Sequence, residues 1–117
     1  MHLEEDFLMR SVKQLVHAIM RALRLPKPEE GLEALREGCG AALGIELEVL
    51  LMLDVGSALD LLGTRERGEA FEQLLRALAT LERRAGREPQ ALRHELHADD
   101  VRAALARRKT RNQVSAT

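Results

Sequence analysis

The stretch Leu74–Leu105, LLRALATLERRAGREPQALRHELHADDVRAAL, decides the fold because it reads as two helices joined by one tight turn. Small residues recur where two helices would have to touch: Ala79 in the first, and Ala91 and Ala98 in the second. Gly86 stands at the turn between them. This spacing predicts a helical hairpin whose two backbones approach each other closely.

Two further helices are predicted before this hairpin. Apolar residues recur at three- and four-residue spacing from Leu3 to Arg24, which is the pattern of one buried helical face. Pro26 ends that helix. A second helix is predicted over residues 29–43, and Gly44 is placed to end it in the left-handed conformation.

Residues 45–62 are harder to assign. Residues 45–49 alternate like a strand, but no second segment offers a strand partner, and a lone strand is not stable. We therefore predict short helices over residues 46–53 and 57–62, with Ser57 capping the second. Thr64 is expected to cap the next helix, residues 65–85, which is the first helix of the hairpin.

The last helix contains conflicting periodicity. Its apolar residues fall on two nearly opposite faces, one with Leu92, Leu96 and Ala103 and the other with Ala98, Val101 and Leu105. Either both faces are covered, or the helix breaks near Asp99, which could cap a new start. We favour a continuous but bent helix.

These elements predict an all-α fold, a single-domain bundle of five to six helices with a helical hairpin at its C-terminal end. The domain is assigned to residues 1–106, the hairpin to 65–106, and a basic, flexible tail to 107–117. A chain of 117 residues with 45% hydrophobic and 32% charged residues is long enough for one core and ordinary in composition for a globular protein.

The hairpin resembles a single degenerate tetratricopeptide repeat. The matching positions are the leucine–small pair of the repeat's first helix, the turn glycine and two small positions of its second helix: Leu78, Ala79, Gly86, Ala91 and Ala98. The hairpin departs from the repeat at Glu82 and Glu95, where aromatic residues are usual, and at Ala103, where a closing proline is common. No second copy of the repeat is evident.

Most of residues 5–105 is also similar to a family of small bacterial all-helical proteins. The shared pattern opens with an acidic residue, apolar residues and an arginine, as in Asp6–Arg10, and continues with a leucine-rich middle over residues 43–62 and a repeat-like hairpin. This resemblance implies an all-helical fold and supplies no activity.

Charge is unevenly distributed along a chain whose net charge is −1. Residues 1–28 carry five basic and three acidic residues, residues 29–63 one and eight, and residues 64–117 twelve and eight. Such an acidic middle between basic ends either steers partners and favours self-association or has no functional meaning.

Candidate chemical sites are few. His94 and His97 share a helical face and Asp99 or Asp100 could add an oxygen, but a closed zinc site needs four ligands, so we expect no metal and no cofactor. Cys39 lies on an apolar stripe between two glycines and is expected to be a small core residue. With no phosphate loop or nucleophile motif in the sequence, we expect no enzymatic activity.

Basic residues suggest an alternative. Arg10, Lys13, His17, Arg21 and Arg24 lie on the polar face of the first helix, and the tail carries Arg107, Arg108, Lys109 and Arg111. Such faces bind nucleic acid or membrane surfaces. The absence of a net positive charge and the presence of only two aromatic residues disfavour nucleic acid.

The function predicted from the sequence is therefore a non-enzymatic protein-interaction module, self-associating as a homodimer or binding a protein partner through apolar helix faces. The predicted interface comprises residues of the first helix and of the 45–62 segment: Leu8, Met9, Val12, Met20, Leu47, Leu51 and Met52. The alternative is a small regulatory nucleic-acid-binding protein. No signal peptide or membrane span is apparent, so we expect a cytoplasmic location.

Overall fold

Six helices and no strand make up residues 2–116, whose backbone is described by the structure, a computed structural model; side chains are described for residues 6–108. The helices are α1 (His2–Arg24), α2 (Pro28–Leu43), α3 (Leu47–Met52), α4 (Val55–Leu62), α5 (Arg65–Arg84) and α6 (Glu88–Ala116). The predicted all-α bundle is confirmed. The tetratricopeptide-like character of the α5–α6 hairpin stays a prediction.

Local signals account for most helix ends. Gly44 adopts φ 71° after α2, and its N–H donates to the Gly40 carbonyl at 3.0 Å, as expected for a left-handed cap. Thr64 caps α5, because its hydroxyl accepts the Arg67 N–H at 3.2 Å. Gly86 adopts φ 80° in the turn between α5 and α6. These two caps and the turn lie where the sequence predicts them.

The predicted cap of α4 was wrong. The helix begins at Val55, so its N-cap is Asp54 and Ser57 lies inside the first turn. Among the described residues, the Asp54 side chain makes no capping hydrogen bond to the first turn of α4. Hydrogen bonding from the Ser57 hydroxyl holds the pKa of Asp54 below its ordinary value.

Helix α5 is the centre of the packing. It contacts α1, α2, α4 and α6, whereas α3 packs on α2. Its buried residues are more than a simple stripe: Gly68, Ala70, Phe71, Leu74, Leu75, Ala77, Leu78, Ala79 and Leu81. A helix buried over so much of its circumference has neighbours on more than one side.

Two glycines of α2 allow close contact with neighbouring helices. A Cβ built on Gly38 would lie 2.6 Å from Ala18 Cβ, and one built on Gly31 would lie 2.8 Å from the Ala22 carbonyl oxygen. Gly38 therefore lies where α1 and α2 pack closely against each other. A Cβ on Gly40 would meet nothing within 4 Å, so that glycine is not needed for packing.

Helix α6 is continuous through Asp99, which resolves the conflict in its periodicity. Its buried face consists of small and medium side chains: Ala91, Ala98, Val101, Ala104 and Leu105. Leu92 and Leu96 are 52% and 54% exposed, so only one of its two apolar faces is covered within this chain. The backbone of residues 107–116 is part of the helix; the flexibility of this tail stays a prediction.

Paired glycine substitutions in α2 test the close contact with α1. Gly40→Ala should raise the free energy of unfolding by up to about 1 kcal/mol, because alanine is the better helix former. Gly38→Ala should lower it, because overpacking against Ala18 costs about 1–3 kcal/mol and exceeds that gain. Urea denaturation of the two variants measures the difference. Equal stability of the two variants would contradict the contact.

Candidate interaction surfaces

The predicted interface residues of α1 divide into two groups. Met9 and Met20 are 44% and 47% exposed, and their spacing of eleven residues places them on one side of the helix, three turns apart. Leu8 and Val12 are half-buried, and Val12 packs against the core. Helix α1 therefore presents methionine rather than its main aliphatic stripe to the surface.

The predicted interface residues of α3 divide in the same way. Met52 is 86% exposed, and Val49, three residues earlier on the same side, is 42% exposed. Leu51 is half-buried against the core. Leu47 is only 2% exposed and belongs to the core with Leu50, so it is not available as a surface contact of this chain.

Further exposed apolar residues lie outside the predicted interface. Leu92 and Leu96 form a short stripe on α6, and Phe7 and Leu61 are 65% and 48% exposed. The sequence pattern of α6 contains this stripe, but it cannot tell which of two apolar faces is covered. The stripe of Leu92 and Leu96 is therefore an exposed apolar surface on a different helix from those of the predicted interface.

The cations of α1 form the predicted basic face. Arg10, Lys13, His17, Arg21 and Arg24 are all exposed. Within residues 6–108, no ion pair joins any of them to a carboxylate. This face therefore carries positive charge that no carboxylate among residues 6–108 neutralises at contact distance.

A surface cavity of about 660 Å³ lies between α1 and α2. His17, Arg21 and Arg24 line its α1 side, together with Met20 and Gln14. Its remaining lining is small: Ala18, Gly38, Ala41 and Ala42. We call it the α1–α2 groove.

Arginines of α5 are used differently from those of α1. Arg67 donates to the Leu43 carbonyl at 2.6 Å and to the Leu62 carbonyl at 3.2 Å, which are the last residues of α2 and α4. Arg84 donates to the Leu23 carbonyl at 2.8 Å near the end of α1. These guanidinium groups satisfy carbonyls that a helix end leaves without partners.

Further arginines of the α5–α6 hairpin and of the tail form ion pairs. Arg76 lies 3.0 Å from Asp99, and Arg83 lies 2.7 Å from Glu95, so both join α5 to α6. Arg108 lies 2.9 Å from Asp60 of α4. The side chains of Lys109 and Arg111 lie outside the described residues. The predicted basic tail is therefore partly engaged with its own chain.

The two histidines of α6 pack against α5. The His97 ring meets the Phe71 ring edge-to-face, with centroids 5.7 Å apart. His94 Nε2 lies 4.0 Å from a Glu82 carboxylate oxygen. Burial lowers the pKa of both imidazoles below their ordinary value, although Glu82 and Asp100 oppose the shift. Within the part of the chain that the structure describes, no group of three or more His, Cys, Asp or Glu could hold a metal ion.

Cys39 is fully buried, and its thiol donates to the Ile45 carbonyl at 3.4 Å. Burial raises its pKa to about 11, so the thiol is protonated at neutral pH. A protonated, inaccessible thiol is a poor nucleophile. This agrees with its expected position in the core.

No helix among the described residues is long and apolar enough to cross a membrane. No protein family, curated protein or solved structure matches the chain. The surfaces described above are therefore the basis for assigning a function.

The histidines of α6 predict a pH dependence of stability. Because the folded pKa values of His94 and His97 lie below 6.5, the unfolded chain binds protons at these rings at a higher pH than the folded chain does. The free energy of unfolding should therefore fall as the pH is lowered through 6.5. Urea titrations at several pH values should show a shallower fall for the His94→Gln, His97→Gln variant. The exposed His17→Gln is the control, and an unchanged slope in the double variant would contradict the assignment.

Proposed function

We propose that the chain is a non-enzymatic protein-interaction module that self-associates as a homodimer through exposed apolar side chains of α1 and α3. The observation that carries this proposal is Met52, which is 86% exposed on a six-residue helix with Val49 exposed beside it. Met9 and Met20 add two exposed methionines on α1.

Methionine suits such a surface. Its unbranched, polarizable side chain adapts to irregular partner surfaces, and methionine-rich faces are common on interaction proteins. Contiguous exposed apolar patches are uncommon on monomers and mark interfaces. A twofold dimer is the commonest way for one chain to cover such a patch.

Sedimentation equilibrium tests this proposal. At micromolar concentration the chain should show about twice its mass of 13.1 kDa. Met9→Glu combined with Met52→Glu should weaken the dimer by about tenfold or more, because a carboxylate buried at a contact has no partner. Leu92→Glu is a matched control, since Leu92 is also exposed and lies outside the proposed surface.

The control separates two surfaces. Loss of the dimer in Leu92→Glu, with retention in the methionine variant, would move the interface to α6 and overturn the proposed surface. A monomer across the accessible concentrations would overturn self-association altogether. It would leave binding of a different protein as the remaining form of the function.

A second candidate is nucleic-acid binding, which is favoured by the cations of α1 that make no ion pair within residues 6–108. It predicts that the logarithm of the affinity for random duplex DNA falls linearly with the logarithm of salt concentration. Neutralising Arg21 and Arg24 with glutamine should then reduce the slope by about two. A fluorescence anisotropy titration measures both values. No binding at low salt would exclude this candidate.

A further inference from the structure

We propose that the outer face of the α1–α2 hairpin is where two copies of this chain meet, with α1 of each copy lying against α2 of the other. This inference rests on the proposed self-association and adds α2 to the surface through which α1 makes the contact. The α1–α2 groove lies at the centre of this face, and Met20 of the predicted interface lines it.

The floor of the groove suits a second helix. Ala18, Gly38 and Ala41 project little from the two helices, and α1 and α2 are so close that a Cβ on Gly38 would lie 2.6 Å from Ala18 Cβ. Small residues let another helix approach, and long side chains can lie across them. The longest side chains at the groove are the arginines of α1.

This face is positively charged on its α1 side and negatively charged on its α2 side. Arg21 and Arg24 on α1 are exposed and make no ion pair within residues 6–108. Glu30 and Glu37 on α2 are likewise exposed and make no ion pair within residues 6–108. They lie eleven and four residues before Ala41, which lines the groove, and therefore on the same side of α2 as that residue. On this face, α1 thus presents positive charge and α2 negative charge that no ion pair within residues 6–108 neutralises.

A twofold axis running along the hairpin brings these charges together. Such a rotation places α1 of one copy over α2 of the other, with each helix kept at its own height along the axis. The contacts of Gly38 with Ala18 and of Gly31 with Ala22 place residues 18–22 of α1 beside residues 31–38 of α2. Arg21 and Arg24 of each copy would therefore lie within reach of the segment that Glu30 and Glu37 bracket in its partner.

A second copy fits this face better than a uniformly acidic partner does. Nucleic acid or an acidic peptide would be attracted to α1, but Glu30 and Glu37 of α2 would repel it from the other half of the same face. A second copy offers the opposite arrangement of charge to both halves.

Reciprocal charge reversal tests the arrangement. One variant carries Arg21→Glu and Arg24→Glu, and the other carries Glu30→Arg and Glu37→Arg. Each alone should lose about tenfold or more in dimer affinity, because like charges then face each other twice. An equimolar mixture should form heterodimers, since both contacts become attractive. The chain with all four substitutions should recover the homodimer.

A steric variant provides a second measurement. Ala41→Trp fills the groove floor from an exposed position and should abolish the dimer, whereas Ala103→Trp on the exposed side of α6 should leave it intact. Far-UV circular dichroism melts confirm that each variant is folded. Sedimentation equilibrium at low and high salt reports the assembly.

The outcomes separate this inference from the proposed function. A dimer that survives Ala41→Trp but is lost in the Met9→Glu, Met52→Glu variant overturns the groove contact and retains self-association. Charge-reversed chains that fail to form heterodimers also overturn it. A wild-type chain that is monomeric at every concentration overturns both proposals, and DNA binding lost on Arg21→Glu, Arg24→Glu by such a monomer assigns the face to nucleic acid.

Discussion

The packing of the whole chain depends on one constraint, which is that α5 has to bury side chains toward several neighbours at once. Phe71, Leu74, Leu75 and Leu81 are fully buried, and Ala79 is 1% exposed on the same helix. Small residues are needed where a second helix approaches and large ones where a gap must be filled. The alternation of leucine with alanine along α5 meets both needs, and α1, α2, α4 and α6 take their positions from it.

Arginines of α5 also bind the C-terminal ends of neighbouring helices. Arg67 binds the final carbonyls of α2 and α4 with two different nitrogens, and Arg84 binds the Leu23 carbonyl of α1. A guanidinium group can do this because its N–H donors point in several fixed directions, whereas an ammonium group is a single point of charge. The Arg67 Nε atom is buried without a hydrogen-bond partner among the described residues, so this contact also has a desolvation cost. Arginine is thus a structural residue in α5 and a surface residue in α1.

The sequence predicts the elements well because their signals are local. Gly44 and Thr64 act within one or two turns of the chain. It predicts contacts between elements less well. Ala91 and Ala98, the small residues of the predicted hairpin contact, are buried as expected, but hydrophobic periodicity gives Leu92 and Leu96 the same weight as buried leucines although both are exposed. The sequence also places Leu47 at the interface, although it is buried. Because α3 is apolar nearly all round, its pattern does not show which side faces the core.

The candidate surfaces, too, are predicted from the sequence only where their signals are local. The basic face of α1 is readable from helical spacing, and its residues are exposed as predicted. That its charges make no ion pair within residues 6–108, while Arg84 of α5 binds a carbonyl group, depends on contacts such as Arg84 with Leu23, which are 61 residues apart in the chain. The groove beside that face likewise requires knowing that Gly38 meets Ala18. Neither fact has a local signal.

Chemical labelling of the buried Cys39 thiol can measure local opening of the fold. With no tryptophan or tyrosine, folding is invisible to intrinsic fluorescence in the usual wavelength range. A thiol that is fully enclosed and protonated can be labelled only when α2 separates from the core. The labelling rate, divided by that of an unfolded peptide, therefore gives the equilibrium constant for that opening directly. Labelling of Cys39 thus measures the local stability of the α1–α2 hairpin, on which both proposed contacts depend.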